Sequence, residues 1–174
     1  SSDLIVSTIY EKCRIRLHEG KQSLIKARLG KRMRATGFES LTTYVEFLRT
    51  RATAEEWTKV VDALTTNFTN FLREEDHFKF LVQQALPPML AAVQKRFQVW
   101  SAACSSGEEP YTIGFYLSEH FPTVGGWDWR ITASDISTKV LATAKQAIYA
   151  QDRVNTIPQE WLRKYFQMGQ GEWQ

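Results

Sequence analysis

The chain has 174 residues, 43% of them apolar and 24% charged, with a formal charge of +3. These proportions are those of a globular protein and exclude a disordered, collagenous or coiled-coil chain; the length suits one ordinary domain, or a small domain joined to part of a second. No apolar run approaches the ~20 residues that span a bilayer, Ser1-Ser2-Asp3 opens no signal peptide, and the two cysteines, Cys13 and Cys104, exclude a disulfide framework or a four-cysteine zinc site and point to a reducing cytoplasm.

In chain order, residues 4–16, 23–35, 40–50 and 54–65 each show the three-to-four-residue apolar spacing of a helix. Thr53 before Ala54-Glu55-Glu56 is an N-cap followed by first-turn acids. Gly37 stands where a residue just past a helix end should. Short connections predict a compact antiparallel bundle. Charge is uneven here: between Glu11 and Arg34 lie nine bases, Lys12, Arg14, Arg16, Lys21, Lys26, Arg28, Lys31, Arg32 and Arg34, against two acids, Glu11 and Glu19. In the second helix Ile25, Leu29 and Met33 form an apolar stripe, while Arg28, Lys31 and Arg32 fall together on another face. Two readings stay open: a solvated face that serves solubility, or a surface for an anionic partner. The overall charge argues against bulk binding to nucleic acid.

After Thr65 the texture changes. Residues 67–70 are polar apart from Phe68, a helix follows over about 74–81, and a second is predicted after Pro87-Pro88. Residues 97–102 form a short apolar strand in which Trp100 is expected to be buried, and the other tryptophans are read as core or interface anchors. A small-residue turn at 103–107 leads into a helix over about 109–120. A Gly125-Gly126 loop precedes a second strand, 129–134, which ends at Asp135. Helices over 136–148 and 159–166 complete the chain. This βαβα order predicts parallel strands joined by a right-handed crossover.

Chemistry concentrates at the first strand-to-helix turn. A nucleoside-binding α/β fold needs a backbone there that a ligand can approach closely, usually supplied by glycines. Here the corresponding positions are Ala103, Ser105 and Gly107, all small but only one a glycine. Asp135 ends the next strand, where a carboxylate can accept both hydroxyls of a ribose; it would serve equally as the N-cap of the helix from Ile136. Glu108-Glu109-Pro110 suits a helix start. Two carboxylates there disfavour a diphosphate and favour a cationic ligand, S-adenosylmethionine before NAD. Upstream, Asn67 and Thr69 offer hydrogen bonds and Arg73 a planar fork for a carboxylate, against the alternative of an N-cap cluster and a helix-surface arginine. Cys104 reads as a small filler residue, and His18, His77 and His120 lack partners at metal-ligand spacing.

Taken together, Thr65-Thr66-Asn67 with Thr69, Phe71, Arg73 and Glu74, then Val99-Trp100-Ser101-Ala102-Ala103, Gly107-Glu108-Glu109-Pro110-Tyr111, Ala133-Ser134-Asp135-Ile136, Ala144-Lys145-Gln146-Ala147-Ile148-Tyr149 and the late Tyr165-Phe166, resemble the chemotaxis receptor glutamate methyltransferases (CheR-type) over nearly the whole chain. The resemblance implies an α/β protein: a small N-terminal helical bundle that docks the receptor, residues 1–64, followed by part of a Rossmann-like S-adenosylmethionine-dependent methyltransferase domain, residues 65–174. It implies that Asn67, Thr69, Arg73, Ala103, Glu109 and Asp135 bind S-adenosyl-L-methionine or its product S-adenosyl-L-homocysteine. Arg73 would hold the methionine carboxylate, and is the one residue with a catalytic assignment as well; Glu109 would take the ammonium and Asp135 the ribose. Arg28, Lys31, Arg32 and Arg34 would dock the cytoplasmic helical region of a chemoreceptor. The family continues past this point with further strands, so the domain is expected to be incomplete, a C-terminally truncated chain prone to self-association. The alternatives are a non-catalytic fragment or binding module that docks acidic receptor helices through the basic helix, and a nicotinamide-dependent oxidoreductase, disfavoured by the missing glycines and the paired acids.

Overall fold

The computed structural model describes residues 2–14, 22–90, 95–169 and 172–173, and the chain divides into two compact units, Ser1–Thr66 and Asn67–Gln174. Arg16, His18, Glu19 and Lys21, and with them the end of the first predicted helix, lie outside the described residues.

The first unit consists of α1 (Ser2–Cys13), α2 (Gln22–Ala35), α3 (Leu41–Thr50) and α4 (Ala54–Leu64). The apolar stripes meet in one core: Ile9, Ile25, Leu29, Tyr44, Val45, Leu48, Val60 and Leu64 are buried, with Met33, Phe38 and Trp57 packed against them. The helix ends follow from local chemistry. α2 stops in a Schellman motif: Gly37 takes φ +79°, its N–H donates to the Arg34 carbonyl and that of Phe38 to the Met33 carbonyl. Ser40 caps α3 through Thr43 N–H, and Thr53 caps α4 through Glu56 N–H.

The second unit opens with α5 (Glu75–Phe80), a π turn at Leu81–Ala85 and α6 (Leu86–Leu90), which run on without a break. Two separate helices were expected, the second after Pro87-Pro88. Pro87 has no N–H to place in the helix ladder; the wider turn, closed by the Leu86 N–H on the Leu81 carbonyl, lets the prolines enter a continuous helix. Residues 91–94 lie outside the described residues. Then follow β1 (Arg96–Ala102), α7 (Glu108–His120), β2 (Asp128–Ser134), α8 (Thr138–Gln146), β3 (Tyr149–Ala150), α9 (Gln159–Tyr165) and β4 (Glu172–Trp173). β1 and β2 pair in parallel from Arg96↔Asp128 to Ala102↔Ser134, and β3 pairs with β4 antiparallel.

The period-two alternation of β1 and β2 decides what is covered. Phe97, Val99, Trp129 and Ile131 pack into the core that holds Ile113, Tyr116 and Leu117 of α7. The opposite face carries Gln98, Trp100 and Ala102, all exposed. Trp100 is therefore 68% exposed rather than buried; its indole N–H donates to Ser134 Oγ at 2.9 Å. Trp57, Trp127, Trp129 and Trp161 do pack against the cores. A second core gathers Phe71, Phe115, Tyr149, Val154, Ile157 and Leu162, with Phe71 edge-on to Tyr149 at 4.9 Å between ring centroids.

Candidate cofactor site at the first strand-to-helix turn

At the end of β1 the backbone turns sharply. Ala103, Ser105 and Gly107 have φ values of 65°, 49° and 102°, three left-handed positions within five residues. Such positions cost on the order of 1 kcal/mol or more for a non-glycine and persist only where the surroundings impose them. The constraints are visible. Cys104 N–H donates to the Ser134 carbonyl at 2.9 Å, extending the strand ladder by one step, and Gly107 N–H donates to the Cys104 carbonyl at 3.0 Å. Gly107 admits no side chain: a Cβ would stand 2.6 Å from Tyr149 Oη and 3.0 Å from the Ala144 backbone.

Asp135 binds the same turn from the second strand. Its Oδ2 accepts the Ser105 N–H at 2.9 Å and its Oδ1 the Ser137 N–H at 2.8 Å. It is not the N-cap of the following helix: that is Ser137, whose hydroxyl accepts from Val140 N–H. α8 is shorter than expected at both ends, and left-handed Ala147 closes it. A carboxylate has about four acceptor positions, so Asp135 keeps capacity for two further donors.

The two acids at the start of α7 separate. Glu109 is exposed, and its Oε1 accepts the hydroxyl of buried Ser101 at 2.6 Å. Glu108 is wholly buried, accepts the Ser106 hydroxyl at 2.6 Å and pairs with Arg153. On the upstream loop, the Asn67 carbonyl accepts Ser105 Oγ at 3.0 Å and the Thr69 carbonyl accepts Arg153 Nη2 at 3.1 Å. Hydrogen bonds thus gather Asn67, Thr69, Asp135 and the turn. Arg73 stands apart: it is exposed, donates to the Phe68 carbonyl at 3.3 Å and lies 4.0 Å from Glu74. Both its neighbours, Leu72 and Glu74, are left-handed. Arg153, Tyr149 and the inward role of Glu108 escaped the sequence reading. Adjacent residues on a helix diverge by about 100°, the one signal that Glu108 and Glu109 could not share a role.

Burial raises the Cys104 thiol pKa, and the Asp135 charge adds to this, which suits a filler rather than a nucleophile. A cavity of about 440 Å³ lies between α7, β2 and α8, lined by Tyr111, Trp129, Ile131 and Leu141 among others; none of the six residues named for the cofactor borders it.

On α2 the four named cations divide. Arg28 donates to the Leu64 carbonyl at 2.6 Å and to Thr66 Oγ1 at 3.2 Å, closing the C-terminus of α4. Arg32 grips Glu56 with Nε at 2.9 Å and Nη2 at 2.5 Å. Lys31 and Arg34 are exposed. The expected shared face of Arg28, Lys31 and Arg32 is therefore split, because α4 offers carbonyls and a carboxylate to the two arginines.

Two comparisons agree with this architecture. Residues 3–65 match the family described as CheR methyltransferase, all-alpha domain, and residues 67–174 match CheR methyltransferase, SAM binding domain. The chain belongs to the CheR methyltransferase family. S-adenosylmethionine is accordingly the cofactor of the second unit. Among curated relatives, the chemotaxis protein methyltransferase of Salmonella typhimurium is 36% identical over 167 residues, 96% of this chain and 56% of that protein. That of Borreliella burgdorferi is 36% identical over 166 residues, 92% of this chain and 59% of that protein. That of Escherichia coli is 35% identical over 167 residues, with 96% and 56% covered. The chain thus spans somewhat over half the length of these relatives. The donor set suits the cofactor: carboxylates at Asp135 and Glu109 for hydroxyls and ammonium, a guanidinium at Arg73 for a carboxylate, and only methyl side chains at exposed Ala102 and Ala103.

Proposed function

We propose that this chain provides the docking unit and the cofactor-binding part of a cytoplasmic enzyme that methylates glutamate side chains on the helical cytoplasmic region of a bacterial chemoreceptor. The observation that carries the reading is the junction of turn and strand, where Asp135 holds Ser105 N–H at 2.9 Å and has acceptor capacity beyond its two backbone bonds, next to a turn whose exposed residues Ala102 and Ala103 carry only methyl side chains. The relatives' description as chemotaxis protein methyltransferases supports it, and the described residues contain no helix long and apolar enough to cross a membrane.

When bound, S-adenosylmethionine supplies a methyl group on a sulfonium that is already a good leaving group. Asp135 accepts the ribose hydroxyls. Glu109, held by the Ser101 hydroxyl, would meet the ammonium, and Asn67 and Thr69, on the loop bonded to Ser105 and Arg153, would add hydrogen bonds. Arg73 would take the methionine carboxylate in exchange for its exposed contacts to the Phe68 carbonyl and Glu74. A receptor glutamate anion would attack the methyl carbon, forming the C–O bond as the C–S bond breaks and S-adenosylhomocysteine leaves, so no general base would be needed. The contribution of these residues is alignment and exclusion of water, and orientation of this kind is worth ~7–11 kcal/mol in favourable cases. The neutral ester removes one negative charge from the receptor, which lessens repulsion between its helices.

In calorimetric titration with S-adenosylhomocysteine, Asp135→Ala and Arg73→Ala should each weaken binding at least about tenfold, since each removes charge-assisted hydrogen bonds worth about 1.5–3 kcal/mol. Unchanged affinity in both variants would defeat the assignment. Docking rests on Lys31 and Arg34: the double variant Lys31→Glu, Arg34→Glu should weaken salt-sensitive binding to an acidic receptor helix bundle and leave the thermal midpoint in place.

A further inference from the structure

The loop that carries Asn67, Thr69 and Arg73 is fastened at four points. Besides the bonds at Asn67 and Thr69, the Phe71 carbonyl accepts Thr156 Oγ1 at 3.2 Å and Leu72 N–H donates to Thr112 Oγ1 at 3.3 Å. Arg153 differs from the other fasteners. Its Nη2 carries two N–H groups; one goes to the Thr69 carbonyl and the other to Glu108, a carboxylate with no exposed surface. The second Glu108 oxygen takes the Ser106 hydroxyl at 2.6 Å, and the Ser106 carbonyl accepts the Tyr149 hydroxyl at 2.7 Å.

A buried carboxylate left without its cation is severely unfavourable, so the Arg153 guanidinium has one stable location. That location dictates where the second N–H of Nη2 finds an acceptor, and the acceptor belongs to the loop. Through Ser106 the same carboxylate holds the middle of the left-handed turn. One ion pair, its carboxylate buried and its guanidinium half-exposed, therefore touches both walls of the proposed site: the loop at Thr69 and the turn at Ser106.

We infer that Arg153 is a positioning residue for the cofactor site, locked by Glu108 and setting the place of the 67–73 loop relative to the 103–107 turn. It acts through Thr69 and Ser106. The inference rests on the reading that these two segments bind the cofactor.

The test pairs calorimetric titration with S-adenosylhomocysteine and thermal unfolding, on the unsubstituted protein, Arg153→Lys, and the double variant Glu108→Gln, Arg153→Met. Lysine keeps a charge opposite Glu108 but lacks the planar fork; its thermal midpoint should stay close to that of the parent while affinity falls about tenfold, the loss of one hydrogen bond. The double variant removes the buried carboxylate charge together with its half-exposed cation, so stability should largely return while affinity stays at least about tenfold weaker. A merely structural pair would restore both. Binding within about twofold of the parent by either folded variant overturns the inference and leaves the cofactor reading standing. No saturable binding by the unsubstituted protein overturns that reading and the inference with it.

Discussion

Arg32→Met separates an interior role for the basic helix from a docking one. Glu56 is a nearly buried carboxylate, its side chain 9% exposed. It accepts Arg32 Nε at 2.9 Å and Nη2 at 2.5 Å, and the Tyr44 hydroxyl at 2.6 Å. Removing one partner of a buried pair costs about 3–5 kcal/mol. The Arg32 side chain retains 23% exposure, so water screens that end and reduces the cost to about 2–3 kcal/mol. In a unit of this size that shifts the thermal midpoint by roughly 10–20 °C. Amide exchange in peptides from α3 and α4 should accelerate about 30- to 150-fold. The pH dependence has a definite sign. Burial works to raise the Glu56 pKa, but the hydrogen bonds from Arg32 and Tyr44 outweigh it and hold the carboxyl below its usual range. The same hydrogen bond raises the Arg32 pKa. For a carboxylate whose folded pKa is depressed, the stabilisation is fully present above the unfolded value of roughly 4.3 and is lost as pH falls through the folded value. That acid limb should shrink in Arg32→Met. A change in exchange below about twofold, with the acid limb intact, would refute the reasoning. Arg32 would then be available to a partner, and receptor affinity rather than stability would register its loss.

Two other substitutions probe the second unit. Gly107→Ala forces a Cβ to within 2.6 Å of Tyr149 Oη at a φ of +102° and should cost about 2–4 kcal/mol by thermal unfolding. Adding Tyr149→Phe should recover only part of that, since the Ala144 backbone still obstructs at 3.0 Å. Trp100→Gln, at a residue 68% exposed, should change stability by no more than about 0.5 kcal/mol in urea unfolding; a loss above about 2 kcal/mol would show that the face of β1 bearing Trp100 is covered in solution.

What could be read from sequence was what repeats or caps locally. The apolar spacing of α2, α3 and α4, the Thr53 cap and the Gly37 stop are contacts over a few residues, and they form as written. Small residues alone are a weak mark of the 103–107 turn; its place between a strand and a helix, with Asp135 ending the next strand, makes it legible. The size of Trp100 argues for burial, but alternation decides: Phe97, Val99 and Ser101 share one face of β1, so Trp100 takes the other. Arg28 and Arg32, one helical turn apart, did prove to share a side. That side faces inward because Leu64 and Glu56, far along the chain, complete it, and no local pattern encodes such a partner. Glu108 and Arg153 repeat the lesson over 45 residues. A basic stripe counted on a helical wheel is thus an upper limit on the charge offered to a partner. Every cation that a buried carboxylate or a helix end claims is subtracted from it; of Arg28, Lys31, Arg32 and Arg34 that leaves Lys31 and Arg34, both exposed, to be felt from outside.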